Sequence, residues 1–411
     1  MKRIIYSEIE GRSPQFYALA AILGVFILAG LASAFYMEHY GHYITGMSNQ
    51  IVWGTPHVFA FFLIISASGA LNIASIGSVF GKTLYKPLGR LSGLLALALL
   101  LGGLVILVLD LGRPDRLIVA MLNFNFKSIF AWNIVLYVGF MAVVAAYLWL
   151  QMERRMNRFA QLGGLVAFIW RLLLTTGTGS VLGFLVAREA YDSAIMAPLF
   201  IIMSFSFGLA AYILVLLAIC RGTGRELGNT IIDRMGRLLG VFVGAVLYLT
   251  AIQHLTNLYA AEHAGGVERF ILLDGGVYTF LFWVGQVLIG GILPLLLVFR
   301  PPVPGSENPN RRVATASVLV IIGAFAQLSV LIIGGQAYPL NLFPGMEVSS
   351  SFSDGVVASY APSLPEIGLG VGGVALALLI VMLGIKVLRF LPASLADSAI
   401  DPHHAVSAKS S

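Results

Sequence analysis

Residues 55–80 have the sequence TPHVFAFFLIISASGALNIASIGSVF, an apolar run without a single Asp, Glu, Lys or Arg. A helix needs only about 20 such residues to cross the hydrocarbon core of a bilayer. Nine further runs of comparable length occur in the 411-residue chain. We therefore predict ten transmembrane helices, at residues 15–37, 54–80, 88–110, 128–150, 163–187, 194–220, 236–261, 277–299, 313–336 and 367–391.

The composition supports the same fold class. Hydrophobic residues make up 58% of the chain and charged residues 11%, whereas about a quarter of the residues in a soluble domain are charged. A soluble core could not bury this much apolar surface. The sequence thus predicts an all-α integral membrane protein, a single polytopic domain over residues 1–411, located in a bacterial cytoplasmic membrane.

The Lys and Arg residues alternate from loop to loop and thereby indicate the orientation. Of the 25 basic residues, 19 lie at the amino terminus, in every second loop and at the carboxy terminus, whereas five lie in the opposite loops and Arg171 lies within the fifth span. Cytoplasmic loops carry the excess of Lys and Arg. Both termini are therefore predicted to be cytoplasmic. The sequence pI near 9.4 reflects this excess, and we expect no nucleic-acid partner.

Cysteine usage limits the redox chemistry of the protein. Cys220 is the only cysteine, so the chain has no internal disulfide, and one thiol cannot hold an iron–sulfur cluster or attach a haem through Cys-x-x-Cys-His. We also expect no metal site, including at the adjacent His403 and His404 of the polar tail. If the protein handles electrons, partner subunits or a diffusible carrier must supply the redox centres.

Polar and ionisable residues gather at one predicted membrane level, near the outer face. Such groups are costly in a membrane and are candidates for function. Each also has a structural explanation, because aromatic residues form interfacial belts and a histidine can hydrogen-bond between helices. The residues at this level are His57, Asp110, Ser128, Trp132, Arg188, Tyr191, Gln253, His254, Asn257, Tyr259, Glu262 and His263.

A quinone fits this combination of groups. Its head needs hydrogen-bond partners at both carbonyls, and its oxidation or reduction moves protons as well as electrons. We predict His57 as head-group ligand and proton exchanger, because histidine titrates near neutrality. Asp110 could accept that proton or stay paired with Arg113. His254 and Tyr259 are further candidates for lining the site. Arg171 is a candidate for proton transfer, although it could also extend to the lipid phosphates.

The segment DLGRPDR, residues 110–116, ends the third span. Gly112 and Pro114 stop the helix there. The charges that follow could pair with each other, or they could bind a partner protein. We predict that Arg113, Asp115 and Arg116 combine the helix stop with a docking role.

This segment, followed by NFNFKSIFAWN at residues 123–133, resembles the signature of the NrfD/PsrC family of quinone-interacting membrane subunits. The resemblance extends from the second span to the ninth. It implies a core at 54–336 made of two four-helix bundles, with extra helices at 15–37 and 367–391. It also implies a quinone, here menaquinone, bound in the first bundle near the extracytoplasmic face.

The resemblance extends to individual residues and to partners. His57 matches the family's quinone-contacting histidine, Asp110 the acidic residue before the third-helix exit, and Ser128 and Trp132 the start of the next helix. Thr55 and Pro56 stand where an Asn is common, and a quinone-contacting Tyr has no clear counterpart near the Thr175–Thr178 stretch. The implied partners are an extracytoplasmic, ferredoxin-like iron–sulfur subunit, cytochrome subunits and membrane lipid.

The function predicted from these observations is exchange of electrons and protons between a membrane quinone and an iron–sulfur partner. Residues 6–17, 57–82 and 124–133 are most similar to family members linked to dissimilatory sulfur metabolism, in which this subunit does not catalyse the sulfur chemistry by itself. Two other classes stay open. A secondary transporter would place its site at broken helices near the midplane, and a b-type haem protein could use His57 and His254 as axial ligands.

Overall fold

The computed structural model describes residues 5–300, 308–340 and 355–400. Within these residues lie ten helices long and apolar enough to cross a membrane, which confirms the prediction of a multi-pass, all-α membrane protein. They are named spans 1 to 10 and comprise, in order, Pro14–Tyr40, Thr55–Ser78, Thr83–Leu109, Ile129–Met152, Asn157–Gly183, Met196–Thr223, Asn229–Tyr259, Val277–Phe299, Pro309–Ala337 and Leu364–Val387.

The predicted ends of two spans were wrong. Span 5 begins at Asn157 and ends at Gly183, rather than covering 163–187, and span 7 begins at Asn229 rather than at residue 236. Hydropathy detects the apolar part of a helix, but backbone hydrogen bonds continue through polar residues at the membrane surface. Both helices therefore extend into the polar sequence that precedes their apolar runs.

Several spans depart from regular α-helix. Span 2 is interrupted at Leu71, and span 3 begins with a 3-10 turn. Spans 8 and 9 contain wide, π-helical stretches, which in proteins are frequent at functional sites. The segments are Thr55–Ala70 and Asn72–Ser78 in span 2, Thr83–Leu88 in span 3, Leu281–Ile292 in span 8 and Val330–Gly334 in span 9.

Short elements lie between and beyond the spans. Two strands, Tyr6–Ser7 and Leu391–Pro392, pair antiparallel and place the two ends of the described residues on the same side. The remaining short helices are His42–Ile44, Pro114–Arg116, Leu117–Leu122, Ala261–Ala264, Val267–Arg269, Phe270–Asp274 and Asp397–Ile400.

The spans pack as two rings of four. Spans 2, 3, 4 and 5 contact one another in a closed cycle, and so do spans 6, 7, 8 and 9. Spans 1 and 10, the extra helices, pack mainly on each other, and span 10 packs on spans 2 and 3. The helices that flank the two bundles in sequence are therefore neighbours in space, beside the first bundle.

Glycines allow the closest helix crossings. Gly69 of span 2 lies against the backbone of Ser204 in span 6, and Gly208 of span 6 lies against the backbone of Gly69 and Ala70. Span 1 meets span 10 in the same way at Gly30 and Gly372. In a membrane, such small residues let backbones approach and so supply much of the packing energy between helices. The crossing of spans 2 and 6 joins the two bundles.

Candidate functional site

The structure places three ionisable residues together where spans 2 and 3 meet the loop after span 1. His57 Nδ1 lies 3.0 Å from Asp110 Oδ2, and His42 Nε2 lies 3.4 Å from Asp110 Oδ1. His57 is in the first turn of span 2, Asp110 caps the end of span 3, and His42 follows the turn at Gly41. The predicted pair of His57 and Asp110 is thus brought together, and Arg113 does not pair with Asp110.

Burial makes this cluster electrostatically strong. The Asp110 side chain is 1% exposed, that of His57 17% and that of His42 31%. The four facing nitrogen and oxygen atoms are buried, and apart from these two ion-pair contacts they have no hydrogen-bond partner within the described residues. A buried carboxylate needs a positive partner or a proton. Asp110 can take either from the two imidazoles on its sides.

The charges of Asp110 and His42 support each other. Burial alone would raise the pKa of Asp110, but His42 and His57 together outweigh it and hold the pKa of this carboxyl below its usual range. The contact with Asp110 raises the pKa of His42, against the opposing effect of burial. The ion pair is therefore lost on acidification through the lowered pKa of Asp110, and on alkalinisation through the raised pKa of His42.

The loop that leads into His57 is anchored by Gln336 at the end of span 9. The buried Gln336 amide oxygen accepts hydrogen bonds from the backbone N–H groups of Val52 and Trp53, each at 3.0 Å, and its NH2 group donates to the Trp53 carbonyl. The Trp53 indole in turn stacks on His57, with ring centroids 6.0 Å apart. Gln336 thereby fixes the approach to the His57 ring.

A second anchor comes from the start of span 10. The Glu366 carboxylate is fully buried and accepts hydrogen bonds from Gly46 N at 3.0 Å, Ser363 N at 2.7 Å and Tyr360 Oη at 2.6 Å. The same Tyr360 oxygen accepts from the N–H group of Thr55 at 2.6 Å. Span 10 therefore holds both the loop after span 1 and the first turn of span 2.

His254, which we predicted to line the same site, belongs to a separate cluster in the second bundle. Its Nδ1 lies 2.7 Å from Oε2 of Glu268, and Asn257 Nδ2 donates to Oε1 of Glu268 at 2.7 Å. The Glu268 side chain is 1% exposed. A cavity of about 10 Å³, room for about one water, continues from this cluster toward Gln286 and Gln327.

Three other predicted lining residues point elsewhere. Tyr259 is 94% exposed at the end of span 7, as expected for an interfacial belt residue. Trp132 is 42% exposed, and its indole N–H donates to the carbonyl of Phe126. Ser128 caps span 4 by accepting from Ala131 N. Among the described residues, no hydrogen bond or ion pair joins any of these three side chains to His57 or Asp110.

Arg171 is buried in span 5 and does not extend to the surface, so the expectation that it could reach the lipid phosphates was wrong. Its side chain is among the largest fully buried ones. The guanidinium packs over the rings of Phe168 and Phe205, and Nη1 donates to the Ser68 carbonyl at 3.3 Å. Cation–π contacts and a carbonyl compensate part of the desolvation.

The segment after Asp110 is exposed. Arg113 and Asp115 form a bidentate pair with two 3.1 Å contacts, and each side chain is more than 60% exposed. Arg116 and Lys127 are exposed as well, on either side of the short helix Leu117–Leu122. That helix has large apolar residues on its surface, Ile118, Val119, Met121 and Leu122, which are between 44% and 79% exposed. We call residues 113–127 the outer apron.

Sequence reasoning missed four residues of these sites. His42 lies outside every apolar run, and Gln336, Glu366 and Glu268 are single polar residues near helix ends. The Ser363–Glu366 capping box is the one local signal among them. The roles of His42, Gln336 and Glu268 depend on partners that lie elsewhere in the sequence. The described residues contain no group of three or more His, Cys, Asp or Glu side chains arranged for a metal ion.

Comparisons with known proteins give consistent results. A family model described as "Polysulphide reductase, NrfD" matches residues 43–339. The Hdr-like menaquinol oxidoreductase integral membrane subunit of Archaeoglobus fulgidus is 28% identical over 96% of this chain and 99% of its own length. A putative dimethyl sulfoxide reductase membrane subunit of Halobacterium salinarum is 28% identical over 90% of each protein. A polysulfide reductase chain of Wolinella succinogenes is 25% identical over 71% of this chain and 96% of its own.

Proposed function

The chain belongs to the NrfD family of polysulphide reductase membrane subunits, and from this premise we propose that it binds a quinol or quinone at His57 and exchanges its electrons with an iron–sulfur partner. The observation that carries the proposal is the buried cluster of His57, Asp110 and His42. Because Nδ1 of His57 faces Asp110, Nε2 is the ring nitrogen left for a head-group oxygen.

The cluster has the chemistry that a quinol requires. Each quinol that is oxidised loses two electrons and two protons, and reduction of the quinone takes them up again. A histidine backed by a buried carboxylate can accept or donate a proton at its other nitrogen. The carboxylate stabilises the imidazolium that forms, and so lowers the cost of the transfer. His57 and Asp110 supply this arrangement, as the resemblance to the family leads one to expect.

Menaquinone is the quinone we propose. Support comes from the Archaeoglobus fulgidus relative, whose name describes a menaquinol oxidoreductase subunit. Residues 6–17, 57–82 and 124–133 also resemble DsrP, the membrane subunit of a transmembrane complex associated with sulfite reduction. We propose on that basis that the subunit serves dissimilatory sulfur metabolism, beside cytochrome subunits of the same complex.

The outer apron is the surface that we propose for docking of the ferredoxin-like iron–sulfur subunit. It follows Asp110 closely in sequence and presents exposed apolar residues beside the positive charges of Arg116 and Lys127. Exposed apolar patches with a polar rim are typical of protein interfaces. An acidic partner surface would complement these charges, and docking there would bring a redox centre close to the His57 site.

The first test is titration of the purified protein with a fluorescent quinol analogue. We expect His57→Ala to weaken binding at least tenfold, or about 1.4 kcal/mol, because the head group loses its hydrogen-bond partner. His39→Ala is the matched control, since His39 is an exposed histidine at the outer end of span 1. Equal affinities for wild type and His57→Ala would contradict a site built on His57.

A second measurement separates the two histidine clusters. With the same analogue, Asp110→Asn is expected to weaken binding several-fold, because it removes the charge behind His57. Glu268→Gln changes the carboxylate that faces His254 in the other bundle, and we expect its dissociation constant to stay within twofold of wild type. Comparable weakening by both substitutions would show that His254 lines the quinone site after all.

A further inference from the structure

Building on the proposed function, we infer that His42 carries protons between Asp110 and the water outside, so that the extra helix at the amino terminus supplies the proton exit of the quinone site. Residue 42 precedes the stretch matched by the family model, which begins at residue 43. His42 therefore lies in the loop that joins span 1 to the matched stretch.

The three residues form a line with increasing access to water. Asp110 stands between the two imidazoles, with one oxygen facing each ring. The carboxylate itself is buried, whereas the His42 side chain is 31% exposed, the highest fraction of the three. A proton that reaches Asp110 can therefore leave through His42, and the buried side chains need not become exposed to water.

Two glycines with positive φ place the His42 ring beside the end of span 3. Gly41 has a φ of +86°, a turn at the end of span 1 that a glycine adopts without strain. Across from the ring, Gly112 has a φ of +69°, and a Cβ at this position would lie 3.4 Å from Cε1 of His42. Gly112 therefore packs directly beside the His42 ring, and its positive φ, not a lack of space, accounts for the glycine.

The charged groups around His42 favour protonation of its ring. Asp110 faces it from the end of span 3, Glu38 acts on it from span 1, and His57 reaches it only through Asp110. Both carboxylates raise the pKa of His42. A group of this kind can take a proton from Asp110 and release it to water, which is the property a relay needs.

The proton balance is simple. When a quinol is oxidised, two electrons leave to the redox partner and two hydroxyl protons must leave the site. In the first transfer, His57 Nε2 accepts a hydroxyl proton while Nδ1 gives its proton to Asp110. Asp110 returns to its charged form by passing that proton to Nε2 of a neutral His42, whose Nδ1 releases its own proton to water. Both imidazoles must then regain their Nδ1–H tautomers, by ring rotation or exchange with water, before the second proton follows the same steps. Reduction of a quinone uses the same steps in reverse.

The test uses the complex purified with its redox partners through a tag on this protein. Turnover is measured with a water-soluble quinol and an artificial electron acceptor, together with the affinity for the fluorescent analogue. For His42→Ala we expect turnover at pH 7 to fall at least tenfold while the dissociation constant stays within twofold. Imidazole added to the solution is expected to restore turnover, because it can enter the space of the missing ring. His39→Ala is the control and is expected to behave as wild type.

Three outcomes would overturn the inference. Wild-type turnover in His42→Ala would show that protons leave by another route. Reduced turnover that imidazole does not restore, accompanied by weaker analogue binding, would assign His42 a structural role, and His42→Gln would then show the same weakening. If the wild-type complex itself neither binds the analogue nor oxidises the quinol, the proposed function fails, and the relay fails with it.

Discussion

Replacing Gly69 with Leu is expected to abolish the folded protein. A Cβ at Gly69 would overlap the carbonyl oxygen of Ser204 in span 6, and a backbone atom lacks the freedom of a flexible side chain to move aside. Overpacking a core typically costs about 1–3 kcal/mol, and a clash with backbone exceeds that range. The crossing of spans 2 and 6, which joins the two bundles, would have to separate.

Detergent-solubilised protein on a size-exclusion column measures this effect. We expect the monodisperse peak of wild type to disappear for Gly69→Leu, and Gly69→Ala to lose part of it, since even a Cβ atom is obstructed. Gly244→Leu in span 7 is the matched control, because nothing lies within 4 Å of a Cβ built there. A wild-type profile for Gly69→Leu would mean that the two spans cross differently.

Glu366→Ala is expected to cause the second largest effect, a loss of about 3 kcal/mol of stability where span 10 anchors the loop after span 1. The substitution leaves the donors of Gly46, Ser363 and Tyr360 without their buried acceptor. Hydrogen bonds to charged groups contribute about 1.5–3 kcal/mol each, and part of this is recovered when water enters. The loop that carries His42 would loosen along with Thr55.

Thermal unfolding followed by tryptophan fluorescence tests this prediction. The midpoint is expected to fall by several degrees for Glu366→Ala, and analogue binding is expected to weaken because Trp53 and His57 lie in the loosened region. Glu10→Ala removes an exposed carboxylate and serves as the control. If both variants have the unfolding midpoint of wild type, the Glu366 carboxylate does not stabilise the loop after span 1.

The ten spans could be predicted because burial in lipid leaves a continuous signal in the sequence: every residue of a helix that crosses the bilayer must be compatible with it. His57 and Asp110 could be predicted because they combine membrane depth with ionisable chemistry. The separation of His254 from them could not, since depth alone does not tell which bundle a residue faces. That distinction depends on Glu268, whose pairing with His254 only the packed helices reveal.

His42 and Glu366 illustrate a second limit. A histidine in a polar loop resembles any solvated residue, and only the contact of His42 with Asp110, which caps the end of span 3, distinguishes it. Glu366 can be explained locally as part of a capping box. Its contact with Gly46 cannot be predicted from that motif. The sequence separation of these partners exceeds the range over which periodicity or motifs carry information.

The contact between Glu366 and Gly46 joins residues separated by 320 positions in the sequence. At a synthesis rate of about 5–20 residues per second, Gly46 would wait about 16–64 s for its partner to be made. The nine other spans have been synthesised by then, yet the loop after span 1 still lacks one of its anchors. Completion of the His57 cluster is thus one of the last events of biogenesis, and a ribosome that stalls before span 10 leaves a membrane-inserted protein in which the loop that carries His42 is not yet anchored.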